Sequence, residues 1–484
     1  MAVWRWRSIV GTMLVVACVG LVAVLWRPGV QARPSRPPHA PASNLPQSAV
    51  AWPMYLGGPT RSGYNARETQ ITTHTVGRLH QHWSAQALRV TTQPIVGYNR
   101  VYFGGWDGYE YAYSLSGKQL WSRFIGVAAP THCDPVPVGI ASSGALTSAP
   151  GPTSLGAPHP VLYVGGGNAV FYALDALSGA ILWQTSLDTN PAAFIWSSPL
   201  LYAGNIYVGL ASVGDCPLVQ GKFFELSAAT GAILHVNKMV PDSCLGAGVW
   251  GSPTLDPATG LLYIATGNAA DCTLPLVAGD SIVTLRASDL SAIAGWAVPP
   301  SEDGLDTDFG STPVLFNATI NGTPRNLVGL VSKNGVFYAF DRAHVNTGPL
   351  WSVRVAVGGF CSECGDGPLG AAAWDGTSLY VGAGHTTISG QSCLGNVRAL
   401  DPTTGAARWQ TCLQDGFVLA PVSAVPGLLF AGASADLLAL DTTTGTVDYT
   451  FTDPNHDYFW GPPTIVGGMV YVGNMDGSLF ALGL

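Results

Sequence analysis

Charge is scarce in this chain of 484 residues: Asp, Glu, Lys and Arg together make up 10%, against roughly 25% in ordinary soluble proteins. Lysine occurs four times and glutamate five times, so the residues that usually cover exposed helix faces are missing. With 21 basic residues and a net charge of −8, the chain lacks the basic surface that a nucleic-acid partner requires. A P-loop, a nucleophile elbow and a dinucleotide-binding glycine motif in a βαβ setting are absent too. The ten histidines show no metal-ligand spacing. What is abundant is turn chemistry: 60 Gly and 35 Pro without a collagen-like period, beside 47% hydrophobic residues. The hydrophobic content excludes disorder, and the composition points to an all-β protein of many short strands.

Residues 1–32 read as an export signal or membrane anchor. Arg5 and Arg7 precede an uncharged run from Ser8 to Trp26, and Val30-Gln31-Ala32 resembles a cleavage site. The run is long enough to span a bilayer if it is retained. Cys18 sits where a lipoprotein signal would place its cysteine, yet the apolar run continues beyond it. Residues 33–49 are a Pro-rich spacer. Eight cysteines remain after Cys18, an even number that suggests disulfides in an exported chain.

The folded part, residues 50–484, is repetitive. ALDALSGAILW ending at Trp183 has counterparts ending at Trp121, His235, Trp296, Trp351, Trp409 and Tyr449. Each reads as an apolar strand ending in Asp or a substitute, a Ser/Thr-Gly turn, and a strand carrying an aromatic. Asp caps such a turn and Gly takes its positive φ. Another hairpin precedes each copy, as in 199–209, 253–267 and 463–473. The unit is therefore four-stranded, the blade of a β-propeller. The last unit stops at Leu484 without its outer strand, while residues 78–84 offer an orphan strand with Trp83 in the aromatic position. The expectation is an eight-bladed propeller of four-stranded antiparallel blades, its ring closed by that N-terminal strand, with Trp83 packed on the last blade. With strands named A to D from the axis outward, Cys133, Cys244, Cys361, Cys364 and Cys412 fall in D–A loops and Cys216, Cys272 and Cys393 in B–C loops. All eight then lie on one face. Cys361-Ser-Glu-Cys364 is followed by Gly365, not His, so it reads as a disulfide and no haem is expected.

The Trp-ended repeat, with the opening AWPMYLGGPTRSGYN and VGRLHQHWSA, resembles the quinoprotein alcohol dehydrogenase superfamily, especially its polyvinyl-alcohol-dehydrogenase-like branch. The resemblance implies pyrroloquinoline quinone (PQQ) and calcium as cofactors. It implies a role for Trp250 in stacking on PQQ, for Asn268 in binding the metal, for Asp308 as catalytic base beside the metal, and for Lys333 in polarising a quinone oxygen. These residue types suit the chemistry. A hard cation takes oxygen ligands, cation and ammonium draw electrons from a quinone carbonyl, and a carboxylate can accept an alcohol proton.

Departures from the family pattern are equally visible. No Glu occurs at 208–221, where a metal-binding Glu is usual, and Asp215 is the substitute. No adjacent Cys-Cys pair exists, and no Arg lies between Arg123 and Arg286. Gly310 stands where lanthanide-using relatives carry a second Asp. Three functions stay open at this point. One is an extracytoplasmic dehydrogenase of small or polymeric alcohols with a separate electron acceptor. The second is a non-catalytic scaffold binding envelope proteins, and the third is a sugar- or small-ligand-binding propeller. An N-terminal membrane association is compatible with each.

Overall fold

The computed structural model describes residues 52–130, 136–147, 159–270, 279–302, 304 and 306–484. The expectations placed on the export signal, on Cys18, on the Pro-rich spacer and on Cys133 and Cys272 lie outside these residues. Among the described residues no helix is long and apolar enough to cross a membrane.

The described chain is an eight-bladed propeller of four-stranded antiparallel blades. The first blade contains Ile95–Gly97, Arg100–Gly104, Tyr109–Ser114 and Gln119–Phe124. The two that matter most below are the fourth (Thr254–Asp256, Leu261–Ala265, Ser281–Arg286, Ala292–Ala297) and the fifth (Val314–Ile320, Thr323–Val331, Val336–Asp341, Trp351–Arg354). The eighth blade has Thr464–Val466, Met469–Gly473 and Ser478–Gly483, and its outer strand is His80–Gln86, antiparallel to Ser478–Gly483. The closing strand thus lies two residues further along than the sequence places it.

Most blades are held to the next by an outer aromatic; in the third, His235 takes that place and bonds Glu225 of its own blade. The Trp409 indole donates to Thr442 O of the following blade, as Trp121 does to Ala176 O and Trp351 to Pro402 O. The receiving turn is built for this contact. Asp441 Oδ1 accepts the backbone N–H groups of Thr443 and Thr444, and Gly445 adopts φ +74 with Trp409 packed where a Cβ would stand, 2.5 Å from Cε3. Trp83 docks the same way: it donates to Leu115 O of the first blade and stacks on Tyr113, while also touching Tyr471 of its own blade. Its indole is only half-buried, because the outer strand leaves one edge in solvent. Trp83 thus packs on the last blade as expected, and reaches the first blade as well.

Two devices join the blades near the axis. A belt of hydroxyls runs from blade to blade ahead of the innermost strands: Gln93 N–H donates to Ser143 Oγ, Ser143 N–H to Ser198 Oγ, Ser198 N–H to Ser252 Oγ and Ser252 N–H to Thr312 Oγ1. The second device is the strap formed by residues 52–65. It bonds by backbone to Val96, Leu146, Leu255, Leu315, Trp374 and Ala424 in turn. Asn65 Nδ2 reaches Ile465 O of the eighth blade, and Arg61 reaches Ser198 O and Pro199 O at the third. Every blade is therefore tied to this one segment. Arg61 is fully buried, and its remaining donors go to Tyr55 O and Pro253 O.

Candidate functional site

Trp250, Asn268, Asp308 and Lys333 occupy equivalent places in the fourth and fifth blades. Trp250 and Asp308 precede the innermost strands Thr254–Asp256 and Val314–Ile320, while Asn268 and Lys333 follow the second strands Leu261–Ala265 and Thr323–Val331. The propeller brings these four strand ends together. A cavity of about 240 Å³ is lined by all four, with Asp215 and Trp196 from the third blade. Asp215, the expected substitute for the missing Glu, thus reaches the same cavity.

Direct contacts connect the residues. The Trp250 indole N–H donates to Asp308 Oδ2 at 3.1 Å. Lys333 Nζ lies 2.9 Å from Asp308 Oδ1, 2.8 Å from Asp306 Oδ2 and 5.1 Å from the centre of the Trp250 ring. Asn268 Nδ2 donates to Asp306 Oδ1 at 3.1 Å. The backbone supports the pair, since Lys333 N–H donates to Asp308 O. Two glycines make room for the indole and the carboxylate. A Cβ on Gly310 would stand 2.0 Å from the Trp250 ring, and one on Gly267 would stand 3.0 Å from Asp308 Oδ2. The glycine at 310, noted in the sequence only as the absence of an acid, is thus what lets the Trp250 ring lie over that loop.

The electrostatics are those of a buried, contested cluster. Burial pushes the Asp308 carboxyl up to about 7; Lys333 pulls it down, and the nearby Asp306 and Asp280 add to the rise. Burial also works against the Lys333 ammonium, but Asp308 and Asp306 outweigh it and hold its pKa above the ordinary lysine value. Asp308 Oδ1 is buried and, although close to the ammonium, accepts no well-aligned hydrogen bond. Such an oxygen on a buried carboxylate is chemically suited to a cation. Asp215, Asn268 and Asp308 supply oxygen donors of the right kind. Among the described residues, however, no three His, Cys, Asp or Glu side chains gather into a metal-binding group. These donors do not form an all-protein cage, and a cation held by them would need further ligands.

Two residues of the site had not been singled out from the sequence. Trp196 was one of several aromatics ahead of inner strands. Asp306, two residues before Asp308, is paired with Lys333 and Asn268, with its side chain 13% exposed.

The cysteines are paired where described. Cys361 bonds to Cys364 and Cys393 to Cys412, and Cys216 and Cys244 are also in disulfides. One assignment is corrected: Cys412 lies inside the outer strand Ala407–Leu413, not in the loop after it. That strand's closing residues pair with the start of Gly395–Leu400, which places Cys412 opposite the loop carrying Cys393.

Residues 236–356, which include Trp250, Asn268, Asp308 and Lys333, match the family described as glucose/ethanol/alcohol dehydrogenase, beta-propeller domain. The stretch of the propeller that carries the cavity is thus similar to the propeller domain of alcohol dehydrogenases. Residues 394–483 match the family described as outer membrane protein assembly factor BamB. Among curated proteins, the chain is 28% identical over 62% of its length to a polyvinylalcohol dehydrogenase of Pseudomonas sp, and spans 55% of that relative. It is 25% identical over 93% of its length to a polyvinylalcohol dehydrogenase of Sphingopyxis sp. (strain 113P3), spanning 76% of it. Among solved structures, the quinohemoprotein alcohol dehydrogenase of Comamonas testosteroni superposes with a TM-score of 0.70 at 17% identity. That match covers 90% of this chain and 80% of the other, a likeness of fold.

Proposed function

We propose that this quinoprotein-type propeller is an exported dehydrogenase that oxidises alcohols. Trp250, Lys333, Asn268, Asp215 and Asp308 would line its site for PQQ and a divalent cation, calcium by the chemistry of its oxygen donors. The observation that carries the reading is Asp308: a buried carboxyl in a cavity, touching an indole and an ammonium, with a pKa near neutrality. Bound there, a quinone would supply the acceptor for the two electrons leaving the alcohol. The chain's own residues would do the rest. The Trp250 ring would set the plane of a flat ligand, Lys333 would present positive charge to a ligand oxygen, and Asp308 would accept the hydroxyl proton. Asn268 and Asp215 would give oxygens to the cation.

Disulfides at each described cysteine favour an oxidising compartment outside the cytoplasm. Some relatives are quinohemoproteins. Cys361 and Cys364 bond to each other here, so this pair is not taken as a haem attachment site, and the reading calls for a separate electron acceptor. The test is equilibrium binding of PQQ with calcium to the purified mature protein. Saturable binding at one site per chain, lost in Lys333→Ala, supports the reading, and no binding at millimolar calcium sinks it.

A second reading, a non-catalytic scaffold, is favoured by the match of residues 394–483 to an assembly-factor family and by the want of a three-acid metal group among the described residues. It becomes the better one if PQQ does not bind.

A further inference from the structure

Asp306 lines a different cavity from the one described above. It faces a neighbouring space of about 500 Å³ with Glu302, Asn334, Arg354 and Asp366, and it meets the first cavity through two of that cavity's lining residues. One oxygen accepts from Asn268 Nδ2 and the other from Lys333 Nζ. We infer that Asp306 is a positioning residue, which orients the Asn268 amide and divides the Lys333 ammonium; the inference rests on the reading that the first cavity holds a divalent cation.

The amide argument is one of donor and acceptor. A carboxylate accepts only, so the end of the Asn268 amide that faces Asp306 must be its NH₂. The amide is planar, and its oxygen is thereby turned away from Asp306. An amide free to flip would offer a cation its NH₂ half the time. One held by a carboxylate offers its oxygen, the atom a hard cation needs.

The ammonium argument is one of charge. Lys333 Nζ stands between Asp306 Oδ2 and Asp308 Oδ1 at nearly equal distances, 2.8 and 2.9 Å. With Asp308 ionised, as a bound cation would require, two carboxylates and one ammonium leave the trio with a net negative charge for that cation to offset. Without Asp306, the whole ammonium would settle on Asp308 and compete with the cation for the same oxygen. Both effects act on cation binding through other side chains, as partners of metal ligands do elsewhere.

The test is calcium titration of the full mature protein by calorimetry, in the presence of PQQ, on the wild type and on Asp306→Asn, Asp306→Ala, Asn268→Ala and the double variant Asp306→Asn/Asn268→Ala. Asp306→Asn keeps the size of the side chain, and its thermal midpoint without calcium should stay near the wild type's. Its calcium affinity should fall roughly 10–100-fold, the range for lost partners of metal ligands, and Asp306→Ala should fall at least as far. Because Asp306 works partly through Asn268, the double variant should lose less than the product of the two single losses. Wild-type affinity in both Asp306 variants would overturn the inference, as would single losses that multiply fully in the double variant. A wild-type protein that binds no calcium would instead overturn the reading of the cavity itself, and this inference with it.

Discussion

Asp308 carries opposing demands in one side chain. Its carboxyl is buried against Trp250, yet it must ionise to accept a proton or a cation. The metal-free protein should show the conflict in its stability. The folded pKa is raised from 3.8 to about 7, so the contribution of this group is fully present below the unfolded value and is lost as pH rises through 7. Unfolding midpoints measured without metal should therefore fall between about pH 4 and pH 7. Asp308→Asn should flatten that part of the profile, and a slope unchanged in the variant would show that another group is responsible. The same substitution keeps the size of the side chain and one oxygen while removing the carboxylate proposed as the base. Dye-coupled alcohol oxidation should drop on the order of 10²–10⁴-fold, as for loss of a general base, with folding intact by circular dichroism. That Trp250, Asn268, Asp308 and Lys333 share one cavity was legible because each sits just before an inner strand or just after a second one; their roles were legible only as what the resemblance implies. Asp306 was not, since spacing along an acidic run does not say which carboxylate folds back onto Lys333.

At the scale of the element, the recurring joint is a Trp on an outer strand and a Gly in the next blade's turn. Gly445 meets two demands there, positive φ and the absence of a Cβ beside Trp409, whereas Gly204 has φ +84 with nothing near its Cβ position. The two demands can be separated. Gly204→Ala should cost only the backbone term, about 1–2 kcal/mol. Gly445→Ala should cost that and the displacement of an indole, roughly 2–5 kcal/mol together. Chemical denaturation of both variants measures the difference, and equal losses would mean that the docked indole yields without cost. This joint was readable in the sequence as Asp, Ser/Thr-Gly and aromatic at fixed offsets, because each part obeys a local rule of turn chemistry. Which neighbour receives the aromatic was not readable. Trp83 shows the difference: its place in the repeat was visible, but its stacking on Tyr113 depends on how one blade is staggered against the next.

At the scale of the molecule, a ring of blades has to be held at its axis as well as at its seam. The seam is the pairing of His80–Gln86 with Ser478–Gly483, legible from the missing outer strand of the last repeat. The axis is held by the strap of residues 52–65, which the sequence shows only as a non-repeating, Gly- and Pro-rich opening. No periodicity marks it, because it meets each of the eight blades at a different point of a single pass. Arg61 is its most costly residue. Burial pulls its pKa down to about 9, so it remains a cation at neutral pH, and it is stabilised by carbonyl oxygens from the strap, the third blade and the fourth. Arg61→Met should fill much of the space with an apolar chain yet leave those buried acceptors unpaired, at about 1–3 kcal/mol each. The expected loss is several kcal/mol in equilibrium unfolding. Arg61→Lys should recover only part of it, since a compact ammonium cannot span acceptors that a planar fork reaches together. If Arg61→Met unfolds within about 1 kcal/mol of the wild type, the acceptors find other donors and the strap is a filler of the channel. If the loss is large and the unfolding transition also broadens, the strap is what makes eight blades melt as one unit.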